Sequence, residues 1–330
     1  MSLKRALITG VTGQSGSYLA ELLLAKDYRV FGLVRRTDSV SLWRIAHILE
    51  SIELIPGDLT DQTSLQRALK LSEPDEIYNL AAQSFVASSF TAPLHTSDVT
   101  GLGALRLFEA ARLVAPEARI YQASSSEQYG QVKHSPQTED TPFHPASPYG
   151  AAKTFAHFCA QVYRQAYGMF IVCGIAFNHE SPRRGEEFVT RKITKAVAAI
   201  KRGEQSVLRL GDLTPARDWS HAQDIMRGAM AALHHAVPED YVLSSGVAHS
   251  VREFVEVAFN HAGLEWQKYV KIDPAFQRPL DIARLCGCSE KARQVLGWVP
   301  SVSFVQLVQE MVEHDLANHP VADYSRRAGG

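Results

Sequence analysis

Gly10-Val11-Thr12-Gly13-Gln14-Ser15-Gly16 follows a short apolar run at residues 6–9 and leads into residues 18–26, where Ala and Leu recur at helical spacing. A second apolar run at 30–34 comes next. Strand, turn, helix and strand in that order make a βαβ unit, which requires parallel strands and a right-handed crossover. Glycines spaced G-x-x-G-x-x-G in such a turn let the backbone approach a pyrophosphate, and the helix N-terminus favours its charge. Taken alone they also suit a tight turn that holds some other ligand or none.

Outward from this turn the alternation continues. Residues 52–55 read as a strand, 64–70 as a helix, 76–81 as a strand, 101–114 as a helix and 119–123 as a strand. Residues 149–167 read as a long helix, 171–177 as a buried strand and 188–202 as another helix. The series predicts an α/β fold with a Rossmann-like, doubly wound parallel sheet. After about residue 180 the alternation weakens. Stretches rich in Pro and charge at 181–187, 213–218 and 273–281 separate helical pieces at 222–235, 250–262, 289–296 and 304–314. This predicts a smaller mixed α/β C-terminal lobe over the carboxyl ends of the strands. The division falls at 1–180 for nucleotide binding and 181–330 for substrate, with some chain crossing back. No internal repeat or low-complexity tract interrupts it.

At 330 residues and 45% hydrophobic composition the chain buries a sizeable core. Its 34 Lys and Arg against 35 Asp and Glu leave a net charge of −1, no overall field for gathering nucleic acid or an anionic membrane. Any anionic ligand must be recognised locally. Cys159, Cys173, Cys286 and Cys288 are too scattered for a disulfide framework, and Cys286-Gly287-Cys288 lacks C-x-x-C spacing, so no metal site is expected. The N-terminal residues enter a strand-like run without an apolar segment long enough for a signal peptide or membrane span. A soluble, reducing, cytoplasmic setting is the expectation.

A carboxylate near the end of the second strand would bind the ribose hydroxyls of NAD. Arg35 and Arg36 stand there instead, and two cations favour the 2′-phosphate of NADP, although a solvated surface pair reads the same way. Asp58-Leu59 after the third strand is placed to cap the adenine side. The run Asn79-Leu80-Ala81-Ala82-Gln83-Ser84 after the fourth strand offers small residues for close approach, or simply packs on the sheet.

Ser125, Ser126 and Glu127 follow the fifth strand, shortly before Tyr149 and Lys153. The last two are four apart at the start of a helix after Pro148, so they share one face. A lysine beside a tyrosine is expected to lower the phenol's pKa, making it a base for a hydroxyl proton as hydride leaves carbon. Glu127 adds a carboxylate able to remove a carbon-bound proton. Oxidation and elimination then share one pocket.

With these motifs in place, the chain resembles an extended short-chain dehydrogenase/reductase, and within that group it is most similar to the GDP-mannose 4,6-dehydratases. The matching stretches are G-V-T-G-Q-S-G-S-Y-L (10–19), L-A-A-Q-S-F-V (80–86), Q-A-S-S-S-E-Q-Y-G (122–130), S-P-Y-G-A-A-K (147–153), F-N-H-E-S-P-R-R-G-E-E-F-V-T-R-K-I-T (177–194), A-R-D-W (216–219) and D-P-A-F-Q-R-P (273–279). The resemblance implies that Glu127 is the base at sugar C5, Tyr149 the acid/base at the C4 hydroxyl and Lys153 its partner. Ser125 and Ser126 supply hydroxyls, Ser125 standing where the family usually has threonine. NADP would be held by Gly10, Thr12, Gly13, Gln14, Ser15, Gly16, Arg35, Arg36, Asp58, Leu59, Leu80, Ala81, Ala82, Gln83, Ser84, Tyr149, Lys153, His179 and Arg184. GDP-mannose, or a related nucleotide-sugar, would meet Ser84, Glu127, Asn178, Val189, Lys192, Arg217, Arg278 and Asp281. Arg217 and Arg278 suit its diphosphate by their planar donor forks. The implied reaction takes hydride from C4 to NADP, loses water across C5 and C6, and returns the hydride to C6, giving a 4-keto-6-deoxy sugar.

The match has departures. Ser15 stands where the family generally has aspartate, Ser220 where it has glycine, Asp281 where it usually has glutamate on the nucleotide ribose, and Ala283 where it usually has aspartate. Shortening the ribose carboxylate by one methylene leaves the sugar nucleotide less defined than the reaction type. The competing readings are an NADPH-dependent nucleotide-4-keto-6-deoxyhexose reductase, a dehydratase for a related nucleotide-sugar, and a non-catalytic NADP-binding regulator on the same scaffold. The resemblance further implies a homodimer or homotetramer in which the arginine-bearing loop 35–44 reaches toward a neighbouring subunit.

Overall fold

The protein is described by a computed structural model that covers residues 3–35, 41–131, 134–276, 280 and 282–318. Seven strands form a wholly parallel sheet: β1 Arg5–Thr9, β2 Arg29–Val34, β3 Ile52–Pro56, β4 Glu76–Asn79, β5 Arg119–Ser125, β6 Ile171–Ala176 and, from much later in the chain, Asp240–Leu243. In the sheet that last strand lies beside β6, then come β5, β4, β1, β2 and β3. The order reverses between β1 and β4, which opens a crevice at the carboxyl ends of the strands.

Both faces of this sheet are covered, as its near-continuous apolar strands demand. Along β1, Ala6 and Ile8 pack with Tyr18, Leu19 and Leu23 of helix Gln14–Leu24 and with Met226, Met230 and Leu233 of helix Ala222–His234. Leu7, between them, points the other way to join Leu65 and Leu69 of helix Gln62–Ser72 and Leu107 and Phe108 of helix Gly103–Val114. Period-two alternation thus separates two cores, each filled by side chains contributing about 1.5–3 kcal/mol when fully buried.

A smaller lobe carries its own core, in which Trp219 packs between Phe254 and Phe304, with Ile193, Leu208, Leu307 and Met311 around it. Its short strands are Asn178–Glu180, Ala216–His221, Ala248–Ser250 and Arg284–Leu285 in one sheet, and Leu208–Leu210 with Val270–Ile272 in another. The chain crosses back between the two bodies: Ala222–His234 and Asp240–Leu243 lie on the large sheet although they come after residue 180. The sequence reading has no strand at 240–243, because four residues beside Pro238-Glu239 carry little period of their own. Their pairing with β6 supplies it.

Two other local differences bear on the cleft. The first helix begins at Gln14, not 18, so Gln14, Ser15 and Gly16 belong to its first turn. Residues 86–96, between β4 and the next long helix, form two short helices, Val86–Thr91 and Pro93–Thr96, that run into a π-helical turn at Ser97–Leu102. No helix among the described residues is long and apolar enough to cross a membrane.

Candidate active site

The glycine turn is set by what it must pass. Gly10 has φ +72, a left-handed conformation that disfavours a side chain, and a Cβ there would stand 2.9 Å from the Ala81 nitrogen. A Cβ on Gly16 would fall 2.2 Å from the Gly10 carbonyl oxygen. Gly13 precedes the helix as its N-cap with no side chain covering the first-turn amides. The result is a bare backbone cradle at the head of an eleven-residue helix, which fits a dinucleotide pyrophosphate.

Behind the cradle runs a buried polar string. Thr9 Oγ1 donates to Asn79 Oδ1 at 2.7 Å and accepts the Leu80 and Ala81 amides at 3.1 Å. Asn79 Nδ2 donates to Gln122 Oε1 at 2.7 Å, and Gln122 Nε2 to the Ala123 carbonyl at 3.1 Å. These bonds hold the ends of β1, β4 and β5 level beneath the cleft. Sequence reading assigns no role to the side chains of Thr9 and Gln122, whose partners lie far along the chain.

At the end of β5 the chain turns through the 3-10 segment Ser126–Gln128, closed by a reciprocal cap in which Ser125 Oγ accepts the Glu127 amide at 3.3 Å and Gln128 Oε1 accepts the Ser125 amide at 2.7 Å. Helix Pro148–Tyr167 starts against it, with Ser147 Oγ accepting the Gly150 amide at 3.0 Å. Gly150 allows the approach: a Cβ there would come 2.6 Å from the Glu127 carbonyl oxygen. Tyr149 thereby lies within the electrostatic reach of the Ser125 hydroxyl and the Glu127 carboxylate. Ser126, Glu127, Tyr149 and Lys153 are all buried.

The electrostatics of the pair differ from the expectation that Lys153 lowers the Tyr149 pKa. Burial pushes the phenol up to about 12; the Ser125 hydroxyl and Arg184 pull it down and Glu127 pushes it further up. Lys153 is itself driven down to about 8 by burial. Its Nζ stands 5.8 Å from the Tyr149 ring centroid and donates to the Ala123 carbonyl at 2.7 Å. Desolvation therefore dominates both groups, and the phenol holds its proton at neutral pH.

The cradle and this cluster open on one cleft of about 1630 Å³ between the two bodies. Its wall includes Gly10, Thr12, Gly13, Gln14, Ser15 and Gly16 from the turn; Arg35, Asp58 and Leu59 from the next two strand ends; and Leu80, Ala81, Ala82, Gln83 and Ser84 after β4. It also includes Ser125, Ser126, Glu127, Tyr149, Lys153, Asn178, His179, Arg184, Val189, Lys192 and Arg217. Arg36, Arg278 and Asp281 lie outside the described residues.

Several wall residues are already engaged. Asp58 Oδ1 accepts the Thr60 amide and hydroxyl at 2.8 Å. Gln83 donates to the Phe85 carbonyl and accepts from Thr96. Arg217 donates to the Ile282 carbonyl at 2.7 Å. Its neighbour Asp218 accepts the Ser245, Gly246 and Gly287 amides and the Ser245 hydroxyl, which pins the loop beside the cleft. Asn178 differs: its buried Oδ1 has no partner, an unsatisfied acceptor on the cleft wall.

Arginines gather at the far end of the turn. Arg44 donates to the Arg183 carbonyl at 2.7 Å and to the Thr12 carbonyl at 3.4 Å, contacts within its own chain. Arg183 bonds Ser17 and Glu21. Arg184 pairs with Glu180 at 3.0 Å and stacks over Phe188, its guanidinium carbon 3.5 Å from the ring centroid. Phe188 in turn meets Phe85 edge-on across the cleft at 5.4 Å.

Among the described residues, one group has ligand atoms close enough for a metal ion: His157, Cys173 and Asp240. Arg164 and Gln161 take the Asp240 oxygens at 2.6 and 2.8 Å, and Ser124 Oγ meets His157 Nδ1 at 2.9 Å. The group is a charge-paired polar network behind β5.

A doubly wound sheet, a bare glycine cradle and a Tyr/Lys pair at the head of the helix packed against the end of β5 define a short-chain dehydrogenase/reductase of the extended type. The chain matches the family model described as GDP-mannose 4,6 dehydratase over residues 7–311 and belongs to that family. It is 49% identical over 325 residues to GDP-mannose 4,6 dehydratase 2 of Arabidopsis thaliana, covering 95% of this chain and 87% of that one. With the GDP-mannose 4,6 dehydratase of Homo sapiens it shares 46% identity over 338 residues, 94% and 91% of the two chains. Among solved structures, a dTDP-glucose 4,6-dehydratase of Streptomyces venezuelae with NAD bound superposes with a TM-score of 0.84 at 26% identity, covering 95% of this chain and 97% of that one.

Proposed function

We propose that the protein is a GDP-mannose 4,6-dehydratase that works through bound NADP and forms GDP-4-keto-6-deoxymannose. The observation that carries this reading is the meeting of Ser125, Glu127, Tyr149 and Lys153 in one water-restricted cleft beside the glycine cradle, in a chain that belongs to this family over nearly its whole length.

NADP, held by the cradle of Gly10, Gly13 and Gly16, would supply the hydride acceptor for sugar C4 and the hydride donor for C6. Tyr149, once ionised, would accept the C4 hydroxyl proton, with the Ser125 hydroxyl beside it to share the same oxygen. A phenol held protonated is set to give a proton, and taking one requires positive charge beside it. Lys153, at the ring, is that cation. The C4 ketone acidifies the C5 hydrogen, and Glu127 removes it and passes the proton to the departing C6 hydroxyl, which leaves as water. Once hydride has reached C6 a proton returns to C5, giving the 4-keto-6-deoxy sugar. Glu127 is placed on a turn fixed at both ends, so the base keeps its position through the sequence. For the nucleotide-sugar, Asn178 offers its free acceptor, and Lys192 and Arg217 offer cations from the small lobe. Arg35, at the exposed end of β2, supports NADP over NAD.

The reading includes a homo-oligomer in the cytoplasm. Exposed Leu113, Phe155, Phe158 and Val162 on the adjacent helices Gly103–Val114 and Pro148–Tyr167 support the assembly. Phe158→Asp is expected to lower the sedimentation mass, and an unchanged mass argues against that face. For the activity, purified protein is incubated with GDP-mannose and no reduced cofactor, and a 4-keto-6-deoxy product is assayed. Consumption of only a keto sugar, with stoichiometric NADPH loss, overturns the reading in favour of a reductase.

A further inference from the structure

Ser15, in the first turn of helix Gln14–Leu24, places its Oγ 2.9 Å from His179 Nε2. The other ring nitrogen, Nδ1, lies 2.9 Å from the Phe177 carbonyl oxygen. A carbonyl only accepts, so Nδ1 carries the proton; in a neutral ring Nε2 is then the acceptor and the Ser15 hydroxyl its donor. Gln14 makes a second tie: Nε2 donates to the His179 carbonyl at 3.0 Å, and its Oε1 accepts the Ser181 hydroxyl at 2.7 Å. The glycine turn is thereby stitched to strand Asn178–Glu180, whose first residue lines the cleft and has a buried, unpartnered Oδ1.

We infer that Ser15 is a positioning residue that acts through His179, holding its imidazole in the neutral Nδ1–H form so that the strand bearing Asn178 stays fixed against the cofactor cradle. The titratable and charged groups facing His179 come from three directions: Lys153 from helix Pro148–Tyr167, Arg184 from the loop after Asn178–Glu180 and the His221 ring at the end of strand Ala216–His221. Each opposes a second positive charge, and burial, the larger effect, drives the ring down to about 4. A neutral donor at position 15 is compatible with that setting. A carboxylate there would form an ion pair with the ring and bring a cation into a wall that already holds Lys153 and Arg184.

This deepens the proposed function but is tested without it, on ligand-free protein. Nitrogen-15 NMR of labelled histidine, assigned by His179→Gln, reads the tautomer directly. Wild type is expected to show His179 as the Nδ1–H tautomer with no titration between pH 5 and 9. In Ser15→Asp the same resonance is expected in the doubly protonated form at pH 7; in Ser15→Ala it should lose the single-tautomer signature, and Ser15→Thr should restore it. A His179 that titrates above pH 6 in wild type, or a signal unchanged in both Ser15→Asp and Ser15→Ala, overturns the proposal whatever the enzyme's activity. With substrate, Ser15→Ala is expected to raise KM for GDP-mannose about tenfold with kcat altered less, the sign of a displaced binding group. An equal fall in kcat with unchanged KM overturns the link to Asn178.

Discussion

Lys153 Nζ donates to the carbonyl oxygen of Ala123 at 2.7 Å, which ties the helix that presents Tyr149 to the strand that ends in Ser125. Ala123 also accepts from Gln122, the last member of the buried string that begins at Thr9. The Tyr149/Lys153 pair is therefore anchored to the floor beneath the glycine turn, in a buried setting.

That position has a stability consequence. The folded lysine is depressed to about 8, so the unfolded chain binds the proton more tightly and wild-type stability rises as pH climbs from 8 toward the ordinary lysine value. Lys153→Met should be more stable than wild type at pH 7 by about 1–3 kcal/mol, less than the full shift because the Ala123 carbonyl loses its donor. Denaturant titrations should show this gap closing by pH 10. Turnover should fall by about 100-fold or more.

Glu76 has the opposite sign. Its buried carboxylate accepts from Tyr28 and Tyr78, both at 2.9 Å, and meets His234 at 3.0 Å. Burial pushes its pKa up, but His234, by hydrogen bond and charge, and the two tyrosine hydroxyls outweigh this and hold it at about 2. The contribution, about 3 kcal/mol, is present above the unfolded glutamate value and lost as pH falls from about 4.5 to 2. Glu76→Gln should therefore be destabilised at pH 7 in urea titrations, and the difference from wild type should shrink below pH 4.5.

Gly16→Ala places a methyl 2.2 Å from the Gly10 carbonyl oxygen, which only a backbone shift can relieve. The expected cost is about 1–3 kcal/mol in stability, with cofactor affinity lowered more than tenfold by isothermal calorimetry. Wild-type affinity in that variant would count against the cradle.

Asp218 accepts four hydrogen bonds that gather Ser245, Gly246 and Gly287 beside Arg217. Asp218→Ala leaves three amides without their acceptor, that of Gly287 buried, and should cost about 2–4 kcal/mol. In whatever fraction folds, KM for the nucleotide-sugar should rise while cofactor affinity stays near wild type. Parallel loss of both would locate the effect in the fold as a whole.

Much of this architecture is legible in the chain. The glycine turn and the alternating apolar runs name the large sheet because a buried parallel sheet needs continuous apolar strands and tight strand-to-helix turns. Tyr149 and Lys153 are legible because four-residue spacing on a helix is local geometry. The contacts of Thr9, Gln122, Arg44 and Arg183 are not, since their partners are distant in sequence and no spacing announces them. The strand at Asp240–Leu243 escaped notice for the same reason: four residues gain their regularity only from β6.

The sequence by itself determined the doubly wound class, the bare cradle at Gly10–Gly16 and the set of chemical groups, because these follow from local steric demands and residue type. Tertiary structure decided how the groups behave. Burial, a property of the packed whole, raises the Tyr149 pKa and lowers that of Lys153, against what their spacing alone predicts. It also brings Ser15 to His179 across 164 residues of chain, since a hydrogen bond depends on distance in space and not on position in sequence.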